Sequence, residues 1–145
     1  MSKKTPVKHQ AQHILNVETD GQGLYEVTSQ VVAWVRTLEA DRGQLCVYCQ
    51  HTSASLTIQE NADPDVCRDL NTFFSRLVSE DPSLYRHTAE GPDDMPAHIR
   101  SALTDVSLTI PLLGGKMLLG TWQGVYLFEH RMRPHKRSLI LHAIW

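Results

Sequence analysis

The chain has 145 residues, 41% of them hydrophobic and 21% charged, which is the make-up of a single folded domain and excludes a disordered chain. Fourteen Lys and Arg against sixteen Asp and Glu leave a net charge of -2, and this excludes a protein whose main business is coating nucleic acid. No stretch approaches the roughly 18 to 20 apolar residues of a membrane-spanning helix. The polar start Met1-Ser2-Lys3-Lys4-Thr5-Pro6 has no apolar run behind it, so a cytoplasmic protein is expected.

Residues 7 to 18 read as an opening strand, closed by the turn Asp20-Gly21-Gln22-Gly23. Val27, Val31, Trp34, Val35 and Leu38 then recur at helical spacing. Gly43 follows the helix end, and strands run from Leu45 to about His51 and from Ser55 to Gln59. Asp63-Pro64-Asp65 opens a second helix with an acidic cap and a first-turn Pro; its stripe is Val66, Leu70, Phe73, Phe74 and Leu77. The segment 79–95 has no regular period. A short helix from Pro96 packs Ile99 and Leu103, and β runs cover Val106–Ile110, Met117–Leu119, Gly124–His130 and Ser138–Trp145. Short turns between the last runs favour antiparallel pairing. The expected fold class is α+β, one compact domain over residues 1–145 in two layers, a largely antiparallel sheet packed with helices.

Cys46-x-x-Cys49 lies in a strand, where residues three apart face opposite ways, so the pair cannot pinch one metal ion. Histidine is the unusual component, eight against five Lys. His9, His13 and His142 sit in strands without partners nearby in sequence, and His135 falls in a turn. The other four lie beside residues that also carry chemistry. Between Tyr85 and His98 an irregular stretch holds His87, His98, Arg86, Glu90, Asp93 and Asp94 around Gly91-Pro92. Such a stretch is either a binding loop or a solvated acidic loop with an N-cap among its carboxylates. His51 ends a core-facing row, and Thr52-Ser53 offers hydroxyls and N–H groups where the chain bends, a place that suits an oxyanion or phosphate. A serine hydrolase built on Ser53 or Ser55 lacks a Gly-x-Ser-x-Gly elbow. Gly120-Thr121-Trp122-Gln123-Gly124 offers close backbone approach and an aromatic wall. Glu129 lies in an apolar row, where a carboxylate is either paired or functional, and Arg131, Arg133, Lys136 and Arg137 crowd the next turn. A cationic turn facing an acidic, His-bearing loop suits a phosphorylated substrate with a metal nearby.

Several long stretches taken together, His51-Thr52-Ser53-Ala54-Ser55-Leu56-Thr57-Ile58, Glu60-Asn61-Ala62-Asp63-Pro64, Arg86 to His98, Leu119-Gly120-Thr121-Trp122-Gln123-Gly124 and Glu129-His130-Arg131, resemble the YjbQ family collinearly over nearly the whole chain. The resemblance implies a compact α+β homotrimer with a site near subunit boundaries that holds a divalent metal ion, commonly assigned as zinc. It also implies a secondary, low-level thiamine-phosphate synthase activity, a transferase reaction joining hydroxymethylpyrimidine diphosphate to a thiazole phosphate with release of diphosphate. Carried onto matching positions, His51, His87 and His98 are the implied metal ligands, with Asn61, Asp63, Glu90 and Glu129 around them.

On that picture the ion, with Arg86 or Arg131, neutralises the leaving diphosphate, Thr52, Ser53 and Gln123 contact the substrate, and Trp122 stacks on a ring. Glu129 or Glu90 orients an imidazole or shuttles a proton. His130 alternates away from Glu129 on a regular strand, so only one of them faces the metal, and Glu129 is the choice. Two other classes are open: a metal-dependent phosphoester hydrolase, and a non-catalytic trimeric module that binds a phosphorylated metabolite.

Overall fold

The computed structural model describes residues 4–145; Met1-Ser2-Lys3, part of the expectation about a leader, lies outside them. The elements run β1 (Gln10–Thr19), β2 (Gly23–Glu26), α1 (Thr28–Arg36), β3 (Arg42–Cys49), β4 (Ala54–Glu60), α2 (Pro64–Leu77), a 3-10 turn (Pro82–Leu84), α3 (Asp94–Leu103), β5 (Ser107–Leu113), β6 (Lys116–Met117), β7 (Gln123–Glu129) and β8 (His135–Ile144). They build a five-stranded sheet in the order β1-β8-β3-β5-β6 and a three-stranded sheet in the order β2-β7-β4. Every pairing is antiparallel, as the short connections predict.

The core follows from strand alternation. Leu45 and Val47 of β3, Leu108 and Ile110 of β5, and Leu139 and Leu141 of β8 form one cluster with Leu56 of β4, Val125 and Leu127 of β7, and Val31 and Val35 of α1. Each such side chain contributes about 1.5–3 kcal/mol when fully buried. Cys49 takes part in this core while Cys46 sits half-buried, and neither is bonded. Gly43, which follows the helix, already belongs to β3, where a Cβ would collide with the Ile144 carbonyl and Trp145. Among the described residues no helix is long and apolar enough to cross a membrane.

The helices depart from their predicted packing. The α2 stripe leaves Phe73 58% and Leu77 54% exposed, and no α2 residue is fully buried. The third helix starts at Asp94, two residues before Pro96, because Pro is tolerated throughout the first turn, where N–H groups lack intrahelical acceptors. Its buried face carries Asp94 and Arg100, whereas Leu103 is exposed. His135 belongs to β8 and pairs with Thr19 rather than lying in a turn.

Candidate functional site

The start of α3 and the loop before it bring four side chains together. Asp94 and His98 are one helical turn apart and so lie on one face. Gly91, with φ +105, turns the preceding chain so that His87 and Glu90 come back over them. Asp94 Oδ2 is 2.7 Å from His87 Nε2 and 3.2 Å from His98 Nε2. Glu90 Oε2 lies 3.8 Å from His87 Nε2. One donor atom from each of His87, Glu90, Asp94 and His98 lies within 4.8 Å of the others.

The surroundings fix these atoms. His98 Nδ1 is 3.0 Å from the Thr52 carbonyl, an acceptor only, so Nδ1 carries the proton and Nε2 is turned to the cluster. Asp94 is 2% exposed on its side chain, and its Oδ1 accepts from Arg131 Nη1 at 2.6 Å. Burial opposes ionisation of Asp94, but the hydrogen bond from His87 and the Arg131 charge outweigh it and hold the carboxyl below its usual range. Two imidazoles and two carboxylates form a donor set suited to a divalent cation. The tetrahedral edge for bonds of 2.0–2.1 Å is about 3.3 Å, and the Asp94–His98 spacing of 3.2 Å is near it.

The other expected residues fall elsewhere. His51 does not reach the cluster: its Nε2 accepts the Ser138 N–H at 2.8 Å, and its Nδ1 lies 3.5 Å from Arg137. Burial and then the Arg137 charge lower the pKa of that imidazole. Glu129 does not face the cluster either. Fully buried, it accepts from Thr19 Oγ1 at 2.8 Å, from the His130 and Arg131 N–H groups at 3.0 Å, and from Arg137 Nε at 2.7 Å. Burial works against its charge, yet the Arg137 hydrogen bonds and the backbone donors win, and its pKa is lowered. Glu129 is therefore an ionised partner of a buried arginine and is not poised to shuttle protons. Arg137 in turn donates to the Ser53 carbonyl and hydroxyl, so Ser53 holds the chain bend and Thr52 holds His98.

Arg131 is no free phosphate ligand. Its Nε donates to Asp93 at 3.0 Å, Nη1 to Asp94, and Nη2 to the Glu90 carbonyl at 3.0 Å, which clamps the loop onto β7. Arg86 is exposed beside His87. Asn61, Asp63, Trp122 and Gln123 lie at the far end of the β4–β7 ladder, whose register runs from Ala54↔Glu129 to Glu60↔Gln123. Six residues at about 3.4 Å each put that end about 20 Å away. There Asn61 donates to Glu26 Oε2, Asp63 caps α2 through the Asp65 N–H, and Gln123 Oε1 accepts from the Gly120 N–H. Trp122 is 62% exposed.

His130 is buried, with Nε2 2.8 Å from Ser55 Oγ, its ring 4.4 Å from that of Phe128, and Nδ1 without a partner. Burial, then the Arg100 charge, push its pKa down to about 3. The imidazole is neutral in the fold and takes up its proton on unfolding, so its stabilisation is complete above pH 6.5 and is lost as pH falls from there toward 3. Unfolding free energies from urea denaturation between pH 7 and 4 are expected to fall more steeply for the wild type than for His130→Gln, by up to about 1.4 kcal/mol per pH unit. Equal slopes would contradict the buried neutral form.

Asp94 is the residue that the sequence reading missed. Its signal was the i, i+4 spacing to His98, hidden by placing the helix start at Pro96.

Fold and site together define a two-sheet α+β protein with a His-carboxylate cluster at the mouth of a short helix. The sequence model of UPF0047 YjbQ-like proteins matches residues 13–145. The UPF0047 protein sll1880 of Synechocystis sp. is 55% identical over 134 residues, 92% of this chain and 91% of its own. The UPF0047 protein YjbQ of Escherichia coli O157:H7 is 39% identical over 89% of this chain and 94% of its own. A solved structure of a yjbq/upf0047 family protein from Clostridium acetobutylicum superposes with a TM-score of 0.77 at 33% identity, covering 90% of this chain and 97% of its own. The chain belongs to the YjbQ (UPF0047) family.

Proposed function

We propose that the protein is a divalent-metal transferase of the thiamine-phosphate synthase type, with zinc as the ion, and that this is a secondary activity of the site. The observation that carries the reading is the convergence of His87 Nε2, His98 Nε2 and Asp94 Oδ2 on one point, with Glu90 beside it. An ion bound there supplies positive charge against the departing diphosphate. In the reaction the thiazole nitrogen lone pair forms a bond to the pyrimidine methylene carbon. The carbon–oxygen bond to diphosphate breaks, and that oxygen keeps the electron pair. Exposed Arg86 offers a guanidinium to the same anion, and Arg131 holds the loop in place through Asp93 and Asp94.

A homotrimer is part of this reading. The uncovered Phe73 and Leu77 of α2 give an apolar surface for another copy. The distance between the cluster and the Asn61–Trp122 end fits residues that would meet only between copies.

A metal-dependent phosphoester hydrolase is the second reading, favoured by Glu90, whose largely exposed carboxylate could serve as base for a water. The deciding experiment incubates zinc-loaded protein with hydroxymethylpyrimidine diphosphate and thiazole phosphate and follows diphosphate and thiamine phosphate. Product that disappears in His98→Ala supports the synthase. Cleavage of phosphate esters without the thiazole substrate supports the hydrolase, and saturable binding without turnover would reduce the protein to a binding module.

A further inference from the structure

His130 lies in the Glu129-His130-Arg131 stretch, is fully buried, and takes no part in the cluster. Its neighbours nevertheless lead to α3, the helix that presents Asp94 and His98. That helix is tied to the chain around β4 at successive points. His98 Nδ1 meets the Thr52 carbonyl at 3.0 Å, Ser101 Oγ donates to the Ala54 carbonyl at 3.2 Å, and Thr104 Oγ1 is 2.6 Å from Ser55 Oγ. Just beyond the helix, Leu56 and Asp105 exchange backbone hydrogen bonds of 2.6 and 3.2 Å.

The protons at the middle of this seam can be assigned by counting. Thr104 Oγ1 also lies 2.8 Å from the Arg100 carbonyl, which can only accept. Each hydroxyl has one proton to donate. If Thr104 donates to Arg100 and Ser55 to Thr104, then His130 Nε2 must donate to Ser55, and three hydrogen bonds form in one direction. The reverse order, Thr104 to Ser55 to His130, forms two and leaves the Arg100 carbonyl without that donor. The first arrangement satisfies more buried groups. His130 is itself held on several sides: its N–H is 3.0 Å from Glu129 Oε1 and 3.3 Å from the Ser53 carbonyl, and its ring rests on Phe128.

We propose that His130 is a positioning residue for the metal-ligand helix, donating from Nε2 through Ser55 and Thr104 so that α3 holds Asp94 and His98 in register with the Thr52 carbonyl. The inference rests on the metal reading for its effect on ion binding, but its effect on α3 does not require an ion.

The test compares wild type with His130→Phe, Ser55→Ala and His130→Gln, the last keeping an amide N–H near the position of Nε2. Zn2+ affinity is measured by competition titration, the visible spectrum of bound Co2+ reports ligand geometry, and hydrogen exchange of the 97–104 amides is followed without metal. His130→Phe and Ser55→Ala are expected to weaken Zn2+ binding by about 10- to 100-fold, shift the Co2+ bands and raise exchange in α3. His130→Gln is expected to restore all three, and His130→Phe with Ser55→Ala to be no worse than His130→Phe alone. If His130→Phe does not fold, Ser55→Ala carries the comparison, since it deletes one oxygen. Unchanged α3 exchange, or wild-type affinity and Co2+ bands in a merely less stable variant, would overturn the proposal. A wild type that binds neither ion but shows the exchange effect and its rescue would reject the metal reading and leave the positioning role standing.

Discussion

Glu129→Gln is expected to destabilise the protein by about 3–5 kcal/mol, because it leaves Arg137 buried without its counter-charge. Arg137 is 5% exposed and Glu129 not at all, so water cannot replace the lost partner. The neutral amide would also put a donor where Thr19, Arg137 and two backbone N–H groups all donate. Urea denaturation measures the cost. A single substitution with wild-type stability would show that the pair is not the anchor its hydrogen bonds indicate.

Asp94→Asn is expected to lower Zn2+ affinity by at least about 100-fold, since it removes a charged donor that also draws both imidazoles to one point. His98→Ala is expected to do the same. His51→Ala is expected to stay within about threefold of wild type, because both of its ring nitrogens face Ser138 and Arg137. Calorimetric titration of metal-free protein checks all three. Loss of binding in His51→Ala with retention in Asp94→Asn would restore the ligand set implied by resemblance and discard the one drawn from geometry.

The contrast between α1 and α2 shows what a hydrophobic period can convey. Both helices carry an apolar stripe at the same spacing, yet Val31 and Val35 are buried while Phe73 and Leu77 are exposed. A period reports which face is apolar and is silent about what covers it. Of the four-residue β2, the sequence shows only Gly23, as part of a turn, because the strand is too short to show alternation. In the site, His87 and His98 were legible from an irregular loop rich in ligating side chains. Asp94 was not, because a carboxylate at a helix start has an ordinary capping role. Glu129 stands out in the sequence as a carboxylate in an apolar row, but its choice as the residue facing the metal gives way to the pairing with Arg137. Arg137 reads in the sequence as part of a cationic turn suited to a phosphorylated substrate, and its pairing with Glu129 is hidden there, since a long side chain can fold inward from a position that gives no sign of it.

The Arg131 clamp bears on how variants of this family are interpreted. One guanidinium reaches Asp93, Asp94 and the Glu90 carbonyl together, and residues 85–93 have no sheet or helix of their own. Removing that guanidinium would first free the segment to open locally while the two sheets stay folded. An inactive Arg131 variant would then mimic the loss of a phosphate contact, although what had failed was the closure of a small cooperative unit against β7.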